Sequence, residues 1–285
     1  PTDNKEKAMS LLHSFYCWGH VGVVLVSTCF FKIFGIENWK ILTCIWVLIP
    51  VCNSLIFLKT PIAPLGEEGE KGLTLPQLFR NKIFWILMLM MLCAGASEQS
   101  VSQWASTFAE KGLGVSKTIG DLAGPMTFAI LMGSARAFYG KFGEKIDLDK
   151  FMLGSSVLCA ASYLCISLSP SPVLSLIGCG ICGLSVGIMW PGTFSKASSS
   201  IRNGGTALFA LLALAGDLGC SGGPTVVGAV SSLAADDLKK GILAAIIFPL
   251  LLFIGILLIR PGGKAGGGDT AKGRKCSFAG KRAEN

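Results

Sequence analysis

Charge is missing from this chain for about twenty residues at a time, and no other feature constrains the fold as strongly. Residues 41–58, 151–194 and 241–259 contain no Asp, Glu, Lys or Arg, and the charged residues gather in the short segments between such runs. A soluble helix needs a wet face, and therefore charge at helical spacing. At 1.5 Å per residue, about twenty apolar residues instead cross a ~30 Å hydrocarbon layer. Only 15% of the residues are charged and 51% are hydrophobic, with a mean hydropathy of +0.61. Soluble domains carry roughly 25% charge. The expected fold is an all-α integral membrane protein with about eight transmembrane helices, near residues 11–31, 39–58, 83–108, 119–140, 151–169, 172–194, 205–232 and 241–259. Trp39, Trp85, Trp104 and Trp190 fall near the ends of these spans, where an amphipathic ring favours the interface. Pro50, Pro125, Pro191, Pro224 and Pro249 lie within or at the ends of spans, which membrane helices tolerate when neighbours satisfy the freed carbonyls.

Eight crossings put both termini on one side. Lys32, Lys40, Lys111, Lys117, Lys239 and Lys240 fall on the other side, and the remaining nineteen of 25 basic residues lie with the termini. The positive-inside rule then makes both termini cytoplasmic, and the expected location is the plasma membrane, which is the inner membrane if the source is a bacterium. The net charge of +8 sits in alternate loops and a terminal tail rather than on one face, so nucleic acid is not an expected partner. The lipid bilayer is. Most of the eleven cysteines lie inside apolar spans, where cysteine behaves as a small hydrophobe, and no disulfide is expected. Four parts follow from this pass. Residues 1–58 hold two spans, 59–82 form a polar cytoplasmic loop, 83–260 hold six spans, and 261–285 form a glycine-rich, flexible basic tail.

Glu98 is the most informative side chain. It lies mid-span among Ser97, Gln99, Ser100 and Gln103, and a carboxylate at that depth costs at least ~2.5–3.5 kcal/mol unless it faces a cavity or a partner. It is a candidate to bind a solute hydroxyl or to carry a proton; the other reading is a carboxyl simply hydrogen-bonded to the neighbouring serines. Asp217, between Gly216 and Gly219, either lines a cavity or locks two helices through a buried hydrogen bond. Asp121 reads as interfacial. His13, Cys17 and His20 share one helical face, but no second helix supplies a further ligand, so they read as cavity-lining or packing residues and no metal is expected. Gly178 through Gly183 matches a dinucleotide fingerprint, yet no strand precedes it. Cys179 and Cys182 match Cys-x-x-Cys without the surrounding fold that redox motif needs. Packing explains this segment better: Gly180, Gly183 and Gly187 let another helix approach, and Trp190-Pro191-Gly192 ends or kinks the helix. No catalytic triad, nucleotide loop or zinc motif occurs, so neither an enzyme nor a cofactor is expected.

After the fourth span comes Gly133-Ser-Ala-Arg136-Ala-Phe-Tyr139-Gly140-Lys141-Phe-Gly143-Glu144-Lys145. This resembles the loop signature of major facilitator superfamily transporters, in which glycines let two helices cross closely. Arg136 and Glu144 can there pair as a latch, or dock on neighbouring helix ends. An ordinary topology-setting basic loop is the other reading of these charges. The signature's usual acidic residue and paired arginines are replaced here by Arg136, Lys141 and Glu144-Lys145. Residues 11–19, the segment Gly95-Ala-Ser-Glu98 with Trp104, and residues 205–224 are similar to the fifth, seventh and eleventh helices of the fucose-permease-like sugar:proton symporters. The resemblance implies a partial facilitator fold with helices five to twelve. The chain begins at Pro1 without an initiator methionine and reads as a fragment whose first four helices are its missing partners. It also implies secondary transport of a small polar solute, with a sugar the first candidate, by proton-coupled alternating access. Glu98, Gln99, Gln103, Asp217, His13 and His20 would line the solute and proton pathway, and Gly133, Arg136, Gly140, Lys141 and Glu144 would form the cytoplasmic loop. A non-transporting receptor or scaffold on the same fold is the alternative.

Overall fold

The structure is a computed structural model that describes residues 5–61, 72–112 and 114–259. The central part of the 59–82 loop, the 261–285 tail and the side chain of Glu144 lie outside the described residues. Among those residues the chain is helical throughout. In order come α1 (Lys5–Phe34), a 3-10 turn (Ile36–Asn38), α2 (Trp39–Phe57), α3 (Leu75–Arg80), α4 (Lys82–Ser102) and α5 (Ala105–Thr107). A π-helical turn (Phe108–Gly112) leads to α6 (Lys117–Asp121), a second π-turn (Leu122–Met126) and α7 (Thr127–Phe142). Then follow a 3-10 turn (Gly143–Lys145), α8 (Leu148–Leu168), α9 (Pro172–Val186), α10 (Met189–Ser200), α11 (Gly205–Leu233), α12 (Leu238–Ala244) and α13 (Ile247–Ile259).

Local chemistry sets the helix starts. Asn81 accepts from the Ile83 amide at 2.9 Å, Asp147 from Lys150 at 3.0 Å, and Asp237 from Lys239 at 3.0 Å. Each satisfies an amide that the first helical turn leaves unpaired. Pro172 opens α9, where its missing N–H costs nothing. Gly35, at φ 83°, breaks the chain between α1 and the following turn, a conformation that disfavours any Cβ.

Seven helical stretches are long and apolar enough to cross a membrane: Ser10–Phe34, Ile36–Phe57, Lys82–Lys111, Leu148–Leu168, Pro172–Ser200, Gly205–Leu233 and Leu238–Ile259. Each overlaps an expected span. The eighth expected span, 119–140, is helical through α6, the π-turn and α7, but it is not among the seven. Arg136, which the sequence reading put in a loop, lies inside this segment and lowers its apolar character.

Helices α4, α7, α8, α9, α11 and α13 form one packed body, with α4 against α11 as its most extensive contact. Glycine makes that contact close. A Cβ on Gly219 would overlap the Leu92 carbonyl oxygen, and one on Gly223 would stand 2.6 Å from the Ala96 carbonyl. Gly183 meets the Phe128 backbone and Gly187 meets Ala135 and Met132, so the glycine stripe of α9 receives α7 as expected. Helix α1 joins this body through α7, whereas α2 buries only Leu42, half-buries Trp46 and leaves its other apolar side chains exposed. Trp190 differs from expectation. It packs on Gly216 and Phe194 inside the helix body, and the helix break falls just before it, at Gly187 and Ile188.

Candidate functional site

Glu98 and Arg136 form a buried ion pair. Arg136 Nη2 donates to Glu98 Oε2 at 3.0 Å, and the two residues are 2% and 4% exposed. An isolated charge in an apolar interior costs several kcal/mol, so burial on this scale requires a partner and further hydrogen bonds. Arg136 has them. Its Nε donates to the Gly187 carbonyl at 3.0 Å, and its Nη1 to the His13 carbonyl at 2.9 Å. Ser10 Oγ donates to the Arg136 carbonyl at 2.7 Å, and the guanidinium lies over the Tyr16 ring, 5.7 Å from its centroid. One side chain on α7 thus ties together α4, α1 and the α9–α10 break.

The sequence reading offered Arg136 two arrangements, pairing with Glu144 or docking on a neighbouring helix end. Arg136 pairs with Glu98 instead, and it docks on the C-terminal end of α9 through Gly187. Glycine explains why it can. A Cβ on Gly133 would meet Cys17 at 3.0 Å, so α1 and α7 run close enough for Arg136 to reach the α1 backbone.

A polar and aromatic rim borders the pair. Gln99 Nε2 donates to the Tyr16 hydroxyl at 3.4 Å, and Tyr16 is half exposed. His20 lies beside Tyr16, with ring centroids 6.3 Å apart. His13 stacks on Phe194 at 5.9 Å, and Phe194 in turn touches Trp190 and Phe209. Cys220 of α11 is within electrostatic reach of both Glu98 and Asp217. Gln103 is exposed, one turn beyond Gln99 on α4.

Asp217 is exposed, on a face of α11 that also presents Ser221 and Thr225. The buried lock between helices is therefore not its role; Gly216, Gly219 and Gly223 make that contact around it. Asp121 bonds to Ser106 and Lys117, away from the pair. His13, Cys17 and His20 do share one helix, yet Cys17 is buried against Gly133, His13 stacks on Phe194 and His20 lies tilted against Tyr16. Among the described residues no group of His, Cys, Asp and Glu is placed to hold a metal, and the ten cysteines are free thiols.

Sequence reasoning missed Tyr16, Phe194 and the inward role of Trp190. Tyr16 had a signal, since it lies three residues after His13 and four before His20 on one helical face. Trp190 and Phe194 repeat at the same spacing, but proline and glycine beside Trp190 pointed to a helix end.

The arrangement is one titratable carboxyl, one fixed cation bound to three other helices, and a rim of hydrogen-bonding and flat side chains. Residues 1–224 match the family model described as Major Facilitator Superfamily. No curated protein matches the chain.

Proposed function

Because this chain belongs to the Major Facilitator Superfamily and so is a secondary transporter of a solute, we propose that it moves a small polar solute, with a sugar the first candidate, by proton-coupled alternating access. The observation that carries this reading is the buried Glu98–Arg136 pair under the Tyr16–Gln99 rim. Protonating Glu98 changes the pair from neutral to cationic at the point where α1, α4, α7 and the α9–α10 break meet. A buried charge change of that kind biases helix packing, since an uncompensated buried charge costs several kcal/mol. Solute hydroxyls would bond to Gln99, Gln103, Tyr16 and Asp217, while His13 and His20 complete the wall on α1. A sugar ring has both the hydroxyls for such partners and a flat apolar face for Trp190 and Phe194.

In this proposal residues 1–58 belong to one helical bundle and 83–260 to the other, and four preceding helices complete the first. Gly140 and Lys141 at the end of α7, with Glu144 just beyond it, close the cytoplasmic end, whereas Gly133 serves the α1–α7 contact deeper in the bundle; both termini are cytoplasmic, and the membrane is the plasma membrane. The test is uptake of labelled sugars and small organic solutes after a pH jump, in cells expressing the chain preceded by four such helices. Proton-driven uptake that disappears in Glu98→Gln supports the proposal. Surface expression with no uptake of any solute would favour a receptor or scaffold.

A further inference from the structure

Pro191 is buried in the first turn of α10, four residues after Gly187. In an α-helix the amide of residue 191 would donate to the carbonyl of residue 187. Proline has no amide hydrogen and cannot. The ladder resumes one residue later, where the Gly192 amide donates to the Ile188 carbonyl at 2.7 Å. The carbonyl that proline releases is the one that accepts Arg136 Nε at 3.0 Å. A freed carbonyl in a buried helix break needs a donor, and Arg136 supplies it.

We propose that Pro191 is a positioning residue for the Glu98–Arg136 pair: by leaving the Gly187 carbonyl without a helical donor, it reserves that oxygen for Arg136 Nε and so aims Nη2 at Glu98. The guanidinium is a rigid planar fork, so fixing its Nε edge fixes the direction of its Nη2 edge. Lysine at 136 would keep the charge but has no second edge to anchor. Any residue other than proline at 191 brings an amide hydrogen to the same oxygen and competes with Arg136. The inference rests on the transport reading for its biological meaning, but its test does not require transport.

The experiment measures the melting temperature of the purified chain in lipid nanodiscs as a function of pH. The titratable and charged groups facing Glu98 are Arg136 from α7, Tyr16 and Cys17 from α1, and Cys220 from α11. Lys196 of α10 is paired with Asp149. A transition present in the wild type and absent from Glu98→Gln therefore reports the pair. Pro191→Ala, Pro191→Ser and Pro191→Gly all restore the amide hydrogen and lose the ring, while differing in side chain and helix propensity. The expected result is that all three displace this transition by about one pH unit, in the same direction as Arg136→Lys. In an Arg136→Lys background Pro191→Ala should add no further displacement, because the interaction it disturbs is already gone. Pro50→Ala, in α2, should leave the transition in place.

Three results would overturn the proposal. They are Pro191 variants whose transition coincides with that of the wild type, an equal displacement in the Arg136→Lys background, and a wild-type profile with no transition that depends on Glu98. A displaced transition in a protein that takes up no solute supports this inference and overturns the transport reading instead.

Discussion

Arg136 reaches Glu98 across 3.0 Å in an interior where neither residue exposes more than a few per cent of its surface. Removing one partner strands the other. Arg136→Met should therefore destabilise the chain by about 3–5 kcal/mol, while the double variant Glu98→Leu/Arg136→Met should recover most of that loss. Thermal melts of the single and double variants in one detergent or nanodisc check this. A double variant as unstable as Arg136→Met would mean that the bonds to Gly187 and His13 matter more than the charge pair.

The α4–α11 contact should respond to a single carbon atom. Gly219→Ala places a Cβ against the Leu92 carbonyl oxygen, which is backbone and cannot turn aside. The two helices must separate, and the loss should be in the range of about 1–3 kcal/mol found for overpacked cores. Gly222→Ala is the control, because a Cβ there meets nothing within 4 Å. It should be neutral or stabilising by up to about 1 kcal/mol. Melting temperatures and the fraction of monodisperse protein after extraction report both.

Asp217 separates function from stability. The side chain is exposed and its neighbours make the helix contact, so Asp217→Asn should change stability by no more than about 0.5 kcal/mol. If it faces the solute, the same substitution should raise the KM for uptake severalfold with little change in expression. Unchanged uptake kinetics would remove Asp217 from the pathway.

The fold was legible because hydrocarbon imposes a length. Seven expected spans correspond to seven long apolar helices, and the glycine stripe on α9 correctly announced a close neighbour. Glu98 was legible for the same reason, since a carboxylate so deep demands a partner. The identity of the partner was not. Arg136 lies thirty-eight residues away on a segment that local pattern makes look like the edge of a basic loop. Only tertiary packing, with Gly133 bringing α1 close and the α9–α10 break presenting a carbonyl, gives that arginine a buried place. Asp217 is the converse case. Small residues on either side suggested burial, but they serve the opposite face of α11 and leave the carboxylate exposed.

The π-turn at Leu122–Met126 has a bearing on how this segment tolerates change in its length. It contains Gly124 and Pro125, and Thr127 Oγ1 donates to the Leu122 carbonyl at 3.2 Å inside it. A turn of this kind accommodates one residue more than an α-turn. Successive α-helical residues are about 100° apart around the axis, so a wheel drawn straight through from Lys117 to Phe142 mistakes the phase of one half by about that angle. The turn is the segment's slack. A residue lost there tightens the coil to an ordinary α-turn and leaves the azimuth of Arg136 intact. A residue lost between Thr127 and Arg136 finds no slack, and it swings the guanidinium about a quarter of a circle away from Glu98.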